Sequence, residues 1–146
     1  MATYSFLDVT ASLTGTTGVI DLGQGSANSE EGITQTMGGN KNTMTIGADG
    51  EVMHSLHADK SGTITVTLLK TSPVNKKLSL AYNAQSQSSA TWGNNVIVIR
   101  NTASGDISTA RSCAFQKQPD FNNAKEGGTV AWVFDCGKID QLLGEF

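Results

Sequence analysis

His54-Ser-Leu-His57 holds both histidines of the chain, and two imidazoles at this spacing can supply two ligands to a divalent metal. On an extended strand, however, positions three apart point to opposite faces. No further cluster of metal-ligating residues accompanies the pair, whereas a zinc-type site asks for three or four ligands. His54 and His57 are therefore read as solvated or interface residues, and no metal is expected. Cys113 and Cys136 have no metal-binding spacing, and in a reducing cytosol they read as buried thiols on strands. A nucleophile needs a reactive Ser or Cys beside a His and an orienting carboxylate, and nothing here suggests that grouping. Gly23-Gln-Gly-Ser26 lacks the lysine and helix that follow a phosphate loop. Glu30 and Glu31 alternate faces if extended. Arg100, Arg111 and Lys117 lie near Trp92 and Phe115 in sequence, a mixture that could stack single-stranded nucleic acid, but such rings are more often core. The expectation is a chain with no catalytic residue and no cofactor, not an enzyme.

The 146 residues fit one domain, residues 1–146. With 16 Gly, 2 Pro and short β-branched runs, the composition favours strands. A net charge of -3 argues against a nucleic-acid binder, which shows a basic face to phosphates. Residues 1–59 hold seven acidic side chains against Lys41, while the remainder holds nine basic and six acidic groups. Such asymmetry has two readings: charges that intermix on folding, or a head-to-tail polymer whose acidic face meets the basic face of the next copy. The first residues lack a basic stretch followed by an apolar run, so no secretory signal is expected. The aliphatic run 96–99 is too short to span a bilayer. A soluble protein that stays in the cytosol where it is made, with no membrane contact, is the expectation.

The elements that would position these residues follow from alternation and turn chemistry. Residues 4–13 alternate as a strand, with Leu7, Val9, Ala11 and Leu13 on one side. Residues 19–22 form a short second arm, and the polar residues 23–29 read as loop. Residues 33–37 and 43–46 flank a Gly- and Asn-rich turn and read as a hairpin. Residues 51–57 follow a second turn, and residues 63–69 give the clearest strand, with Ile64, Val66 and Leu68 on one face and threonines on the other. Ser72 as N-cap and Pro73 at the first helical position open a helix whose stripe is Val74, Leu78, Ala81 and Tyr82, ending in the polar run 85–89. Residues 96–100 are apolar on both faces and belong centrally in a sheet. Residues 107–116 return with irregular alternation, 119–128 form a polar loop, and 129–136 make the last strand. The fold class is mostly β: about seven or eight strands around one α-helix, as a two-sheet sandwich or flattened β-barrel.

The opening Tyr4-Ser-Phe-Leu-Asp-Val9 continues in Gly18-Val-Ile-Asp-Leu-Gly23, Glu31-Gly-Ile-Thr34, Lys41-Asn-Thr-Met-Thr-Ile-Gly-Ala-Asp-Gly50, His54-Ser-Leu-His57 and Gly62-Thr-Ile-Thr-Val-Thr-Leu-Leu-Lys-Thr-Ser-Pro73. With Ala114-Phe115, Pro119-Asp120 and Trp132, these stretches resemble the tail tube (inner tube) proteins of contractile-tailed bacteriophages over nearly the full length. The resemblance implies a fold shared with the tube protein of type VI secretion, and a structural subunit whose hexameric rings stack head to tail into a hollow tube inside a contractile sheath. Its implied partners are further copies of itself, the tail sheath protein, baseplate and tail-terminator proteins, and a tape measure protein in the lumen during assembly. DNA would only pass through at ejection. The implied location is the virion tail, assembled in host cytoplasm.

Carried onto this chain, the resemblance gives inner-barrel strands at Ile33, Thr34, Gln35, Thr36 and Met37, at Thr43, Met44, Thr45 and Ile46, and at Thr63, Ile64, Thr65, Val66 and Thr67. It gives an inter-ring loop over residues 47–60 with Asp49, Glu51, His54, His57, Asp59 and Lys60, and a sheath-facing helix showing Lys76, Lys77 and Asn83. Small polar faces such as Thr63, Thr65 and Thr67 would leave a hydrated lumen, and acidic groups there would repel DNA phosphates. Joining sheets between subunits would cover strand edges that an isolated β domain must guard. Two alternatives stand beside this: the tube protein of a type VI secretion or phage-derived contractile injection system, and a carbohydrate-binding β-sandwich, which expects an exposed aromatic platform.

Overall fold

In Gly62–Leu69 every second residue is apolar, and the structure buries Ile64, Val66 and Leu68 fully while Thr63, Thr65 and Thr67 stay half-buried. Period-two burial of this kind holds one face of a strand against a core. The structure, a computed structural model, describes residues 2–23, 25 and 28–146, with the backbone alone for residues 28–31. In chain order it contains β1 (Val9–Gly15), β2 (Gly18–Asp21), β3 (Asn28–Met37), β4 (Asn42–Ile46), β5 (Val52–Leu56), β6 (Gly62–Leu69), α1 (Val74–Gln85), β7 (Asn95–Asn101), β8 (Asp106–Phe115) and β9 (Thr129–Leu142). Seven strands form one antiparallel sheet in the order β2-β1-β7-β8-β9-β6-β3, and β4 and β5 form a separate two-stranded hairpin.

The mostly-β class holds, with nine strands in two sheets and one α-helix among the described residues. The barrel is not closed, because β2 and β3 end the sheet without pairing with each other. The sheet instead curls around side chains. Leu13 and Ile20 at one end share a core cluster with Ile64 and Val66 near the other. Phe6 lies so close to the backbone of β3 that a Cβ on Gly32 would sit 3.2 Å from its ring.

The hairpin expected between residues 33–37 and 43–46 does not form. β3 pairs with β6, with Thr34 opposite Thr65 and Thr36 opposite Thr63, and β4 pairs with β5. Pairing with β6 sets Ile33 beside Val66 at the core, which a hairpin with the exposed β4 could not. Burial thus outweighs the local turn signal. Other boundaries also move. Residues 4–8 are not strand: Phe6–Asp8 is a single 3-10 turn, begun by the Ser5 hydroxyl accepting from the Leu7 N–H at 3.1 Å, and Leu7 is exposed. β3 starts at Asn28, inside a stretch expected to be loop, of which Gln24, Ser26 and Ala27 lie outside the described residues. β9 continues six residues past Cys136 to Leu142.

The irregular alternation of β8 is a β-bulge. Ala110 and Cys113 are both buried although three residues apart, the pairing with β7 shifts between Asn95 and Ile97, and Ser112 adopts φ 54°. The helix forms where its spacing predicts. Pro73 already has helical angles, the Ser72 hydroxyl accepts from the Val74 N–H at 3.3 Å, and Val74, Leu78 and Ala81 are buried. Beneath it an aromatic cluster packs around Phe115, whose ring centroid lies 4.8 Å from that of Phe134, 5.5 Å from Tyr82 and 5.9 Å from Trp132. Edge and tilted arrangements at these distances add to the area they bury.

Candidate assembly surfaces

The register of the main sheet separates two faces. Thr36, Thr63 and Asp135 stand side by side, as do Thr34, Thr65 and Val133, and Thr67 lies beside Ala131. The result is a shelf of small, mostly polar side chains. Ile33, Gln35, Ile64 and Val66 point to the other face, where Ile64 and Val66 are core and Gln35 donates to Gln141 at 2.7 Å and accepts from Ser108. α1 packs on that second face, since Leu78 and Ala81 share the cluster of Ile64, Val66 and Trp132. Helix and threonine shelf therefore lie on opposite sides of the sheet. Lys76, Lys77 and Asn83 are exposed on the helix, and Asn83 accepts from Gln118 at 3.4 Å.

Between β3 and β6 the chain leaves the sheet as an arm, β4 and β5 joined by a turn in which the Gly50 N–H donates to the Gly47 carbonyl at 3.0 Å and Gly50 has φ 89°. A side chain there would be strained. The arm holds Asp49, Glu51, His54 and His57, together with Thr43, Met44, Thr45 and Ile46, which thus stand apart from the main sheet. Directly opposed residues of an antiparallel pair share a face. One face of the arm therefore carries Met44, Ile46, Val52 and Leu56, all exposed, Leu56 at 82%. His54 accepts from the Asn42 amide at 3.2 Å and His57 bonds the Thr43 hydroxyl at 2.7 Å, so the two rings use opposite faces. The root of the arm is tied down. The Ile139 N–H donates to the Lys60 carbonyl at 2.9 Å, Asp140 meets both Lys60 and Arg111 at 3.2 and 3.3 Å, and the Ser61 N–H donates to Asp59 at 2.8 Å. Met37 is exposed where β3 passes into the arm.

The arm leaves the Gly62 end of β6. At the Leu69 end, a cavity of about 520 Å³ opens between α1 and residues 118–130, lined by Asn75, Lys76, Phe121, Val130 and Trp132. The Trp132 indole donates to Asn75 at 3.0 Å, and Lys70 ties the loop through Asn122 and Asn123. An eight-residue strand puts roughly 25 Å between arm and cavity. Periodicity could not find this pairing of ends, nor the apolar face of the arm, whose residues alternate with polar ones as in any half-buried strand.

Asp49 and Glu51 sit at the arm turn, whereas Asp21 lies on β2 at the far end of the sheet. The side chains of Glu30 and Glu31 lie outside the described residues. Among the described residues no three metal-ligating side chains converge, and no helix is long and apolar enough to cross a membrane.

No curated protein matches the chain. Solved structures share the fold at low identity. The sheath–tube complex of an extracellular contractile injection system, PVC, in its extended state contains a chain 10% identical, with TM-score 0.60, covering 97% of this chain and 92% of that one. A chain of the PVC sheath/tube terminator is 12% identical, with TM-score 0.60 and coverage of 97% and 98%. One from the anti-feeding prophage tube-terminating cap is 8% identical, with TM-score 0.56 and coverage of 99% and 95%. The family model of the bacteriophage PhiTE tail tube protein matches residues 1–144, so the chain belongs to that family of tail tube proteins and its role is structural.

Proposed function

We propose that this chain is the repeating subunit of a phage tail's inner tube, with six copies closing into a ring and rings stacking head to tail inside a contractile sheath. The hollow tube is the conduit for DNA at ejection. The reading is carried by the placement of surfaces on opposite sides and ends of the subunit. The threonine shelf of β3, β6 and β9 faces the lumen, and α1 with Lys76, Lys77 and Asn83 faces the sheath. β3, with no strand beyond it in the sheet order, offers its edge to a neighbour in the ring. The arm, with Asp49 and Glu51 at its tip, His54 midway along it and His57, Asp59 and Lys60 toward its root, reaches the next ring. Its apolar face and the cavity at the other end of β6 give a subunit two different ends, as a heterologous, open-ended stack requires.

The inner-barrel assignment of Thr34, Thr36, Thr63, Thr65 and Thr67 rests on this shelf, while Thr43, Met44, Thr45 and Ile46 move to the arm. Sheath, baseplate and terminator proteins are the partners supported by the assemblies in which the fold recurs. A tape measure protein fills the lumen during assembly, which takes place in host cytoplasm. Membership of a phage family favours this reading over a type VI or other injection tube, and over a carbohydrate-binding sandwich.

The test is negative-stain electron microscopy of the concentrated protein beside size-exclusion chromatography, with and without tube ends isolated from assembled tails as seeds. Hollow tubes or six-fold rings are expected. A chain that stays monomeric both alone and seeded overturns the proposal.

A further inference from the structure

Cys113 on β8 and Cys136 on β9 are direct partners in the antiparallel register, both buried, with their sulfurs 3.0 Å apart and the Cys113 thiol donating to Cys136. That meeting depends on the bulge. Ser112, at φ 54°, inserts the extra residue that turns Cys113 inward after Ala110. Opposite it stands Gly137, where a Cβ would lie only 3.2 Å from that of Ser112. The Cys113 carbonyl is held by the Asn95 side chain at 3.2 Å, so the backbone behind the thiol is anchored as well. Opposed residues of this kind share a face with Cβ atoms close to the separation a disulfide spans.

We propose that Cys113 and Cys136 form an oxidisable dithiol, a modification site that closes into an intrasubunit disulfide on contact with a peroxide-class oxidant. The hydrogen bond from Cys113 holds the Cys136 thiol below its ordinary value, and the same bond pushes Cys113 up, so Cys136 is the attacking sulfur. The Cys136 thiolate attacks one peroxide oxygen. The O–O bond breaks, the released hydroxide takes up the Cys136 proton as water, and Cys136 becomes a sulfenic acid. Cys113 sulfur then attacks Cys136 sulfur, the S–O bond breaks, and the departing oxygen leaves as a second water with the Cys113 proton. Two thiols are oxidised to one disulfide and one peroxide is reduced to two waters. The cross-link joins residues 23 apart and staples the base of the loop that forms one wall of the cavity.

The full-length native protein is titrated with hydrogen peroxide, quenched, unfolded, alkylated at remaining thiols and read by mass spectrometry. Loss of both alkylatable thiols is expected, with an intact mass lower by two hydrogens, a Cys113–Cys136 linked peptide, and full reversal by dithiothreitol. The oxidised protein should melt roughly 5–10 °C higher than the reduced one. Met44 and Met53, exposed on the arm, report that oxidant was sufficient. Free thiols persisting after both methionines are sulfoxides overturn the proposal, as does oxidation to sulfinic acid without a cross-link.

Discussion

Gln85, the last residue of α1, and Asn95, the first of β7, exchange two side-chain hydrogen bonds of 2.9 and 2.8 Å inside the core, at 0% and 1% exposure. Gln85 also donates to the Thr17 hydroxyl at 3.1 Å. Gly15 leaves the room, since a Cβ there would overlap the Asn95 amide oxygen. Each amide satisfies the other, so removing one strands its partner in a low-dielectric interior. Gln85→Leu and Asn95→Leu should each destabilise the fold by about 2–3 kcal/mol. The double variant should recover about 1 kcal/mol or more of the summed loss, read by urea denaturation of all four proteins. Strict additivity would mean that the pair does not act as a unit.

Ser112 is the one described non-glycine residue with positive φ. Ser112→Gly should stabilise the protein by about 0.5–1 kcal/mol by relieving the left-handed backbone, while Ser112→Val should lower stability by about 1–2 kcal/mol. Thermal melts of the two variants would check the opposite signs.

On the arm, Leu56 makes no contribution to the core of its own subunit. Leu56→Asp should leave the melting of the monomer within about 0.5 kcal/mol of wild type yet abolish tubes in negative-stain micrographs. Paired reversal, Asp49→Lys with Glu51→Lys, should slow polymerisation followed by light scattering more than it changes stability, because charges at a rim act mainly on encounter. Equal effects on assembly and unfolding would count against the arm as an assembly surface.

Asp59 at the arm root is held below its ordinary value of 3.8, first by the Ser61 hydroxyl and then by the Ser61 backbone N–H. A carboxyl depressed in the folded state contributes stability above its unfolded value, and that contribution is lost as pH falls through the folded value. Acidification below 3.8 should therefore loosen the turn of residues 59–61, seen as a smaller protection factor for the Ser61 amide, its exchange compared with the intrinsic rate at the same pH, than at pH 6. Asp59→Ala, which removes the acceptor, should show the smaller protection already at neutral pH. A protection factor indifferent to both changes would separate the arm root from Asp59.

Much of this architecture is legible in the order of residues. The alternation of Ile64, Val66 and Leu68 with threonines, the inward row Val130, Trp132, Phe134 and Cys136, and the stripe of Val74, Leu78 and Ala81 behind Ser72 and Pro73 all appear as periodicity predicts. Gln85 continues that stripe four residues after Ala81, a polar group on a buried line, which is the one signal that could have exposed its partnership with Asn95. Periodicity says which way a side chain points, and these faces bury whatever strand lies alongside.

Pairing is another matter. A turn rich in Gly and Asn permits residues 33–37 and 43–46 to fold back on each other, but the partner of β3 is decided by which strand offers more apolar surface to share, and that is β6 across the intervening arm. The same holds for the bulge at Ser112, the meeting of Cys113 with Cys136, and the cavity beside Trp132, each set by residues distant in the chain. Strand identity, helix position and the mostly-β class were written locally, in side-chain type and spacing. Partner choice, the open sheet and the opposed arm and cavity came only from the folded chain, because non-local burial selects among the pairings that local chemistry allows.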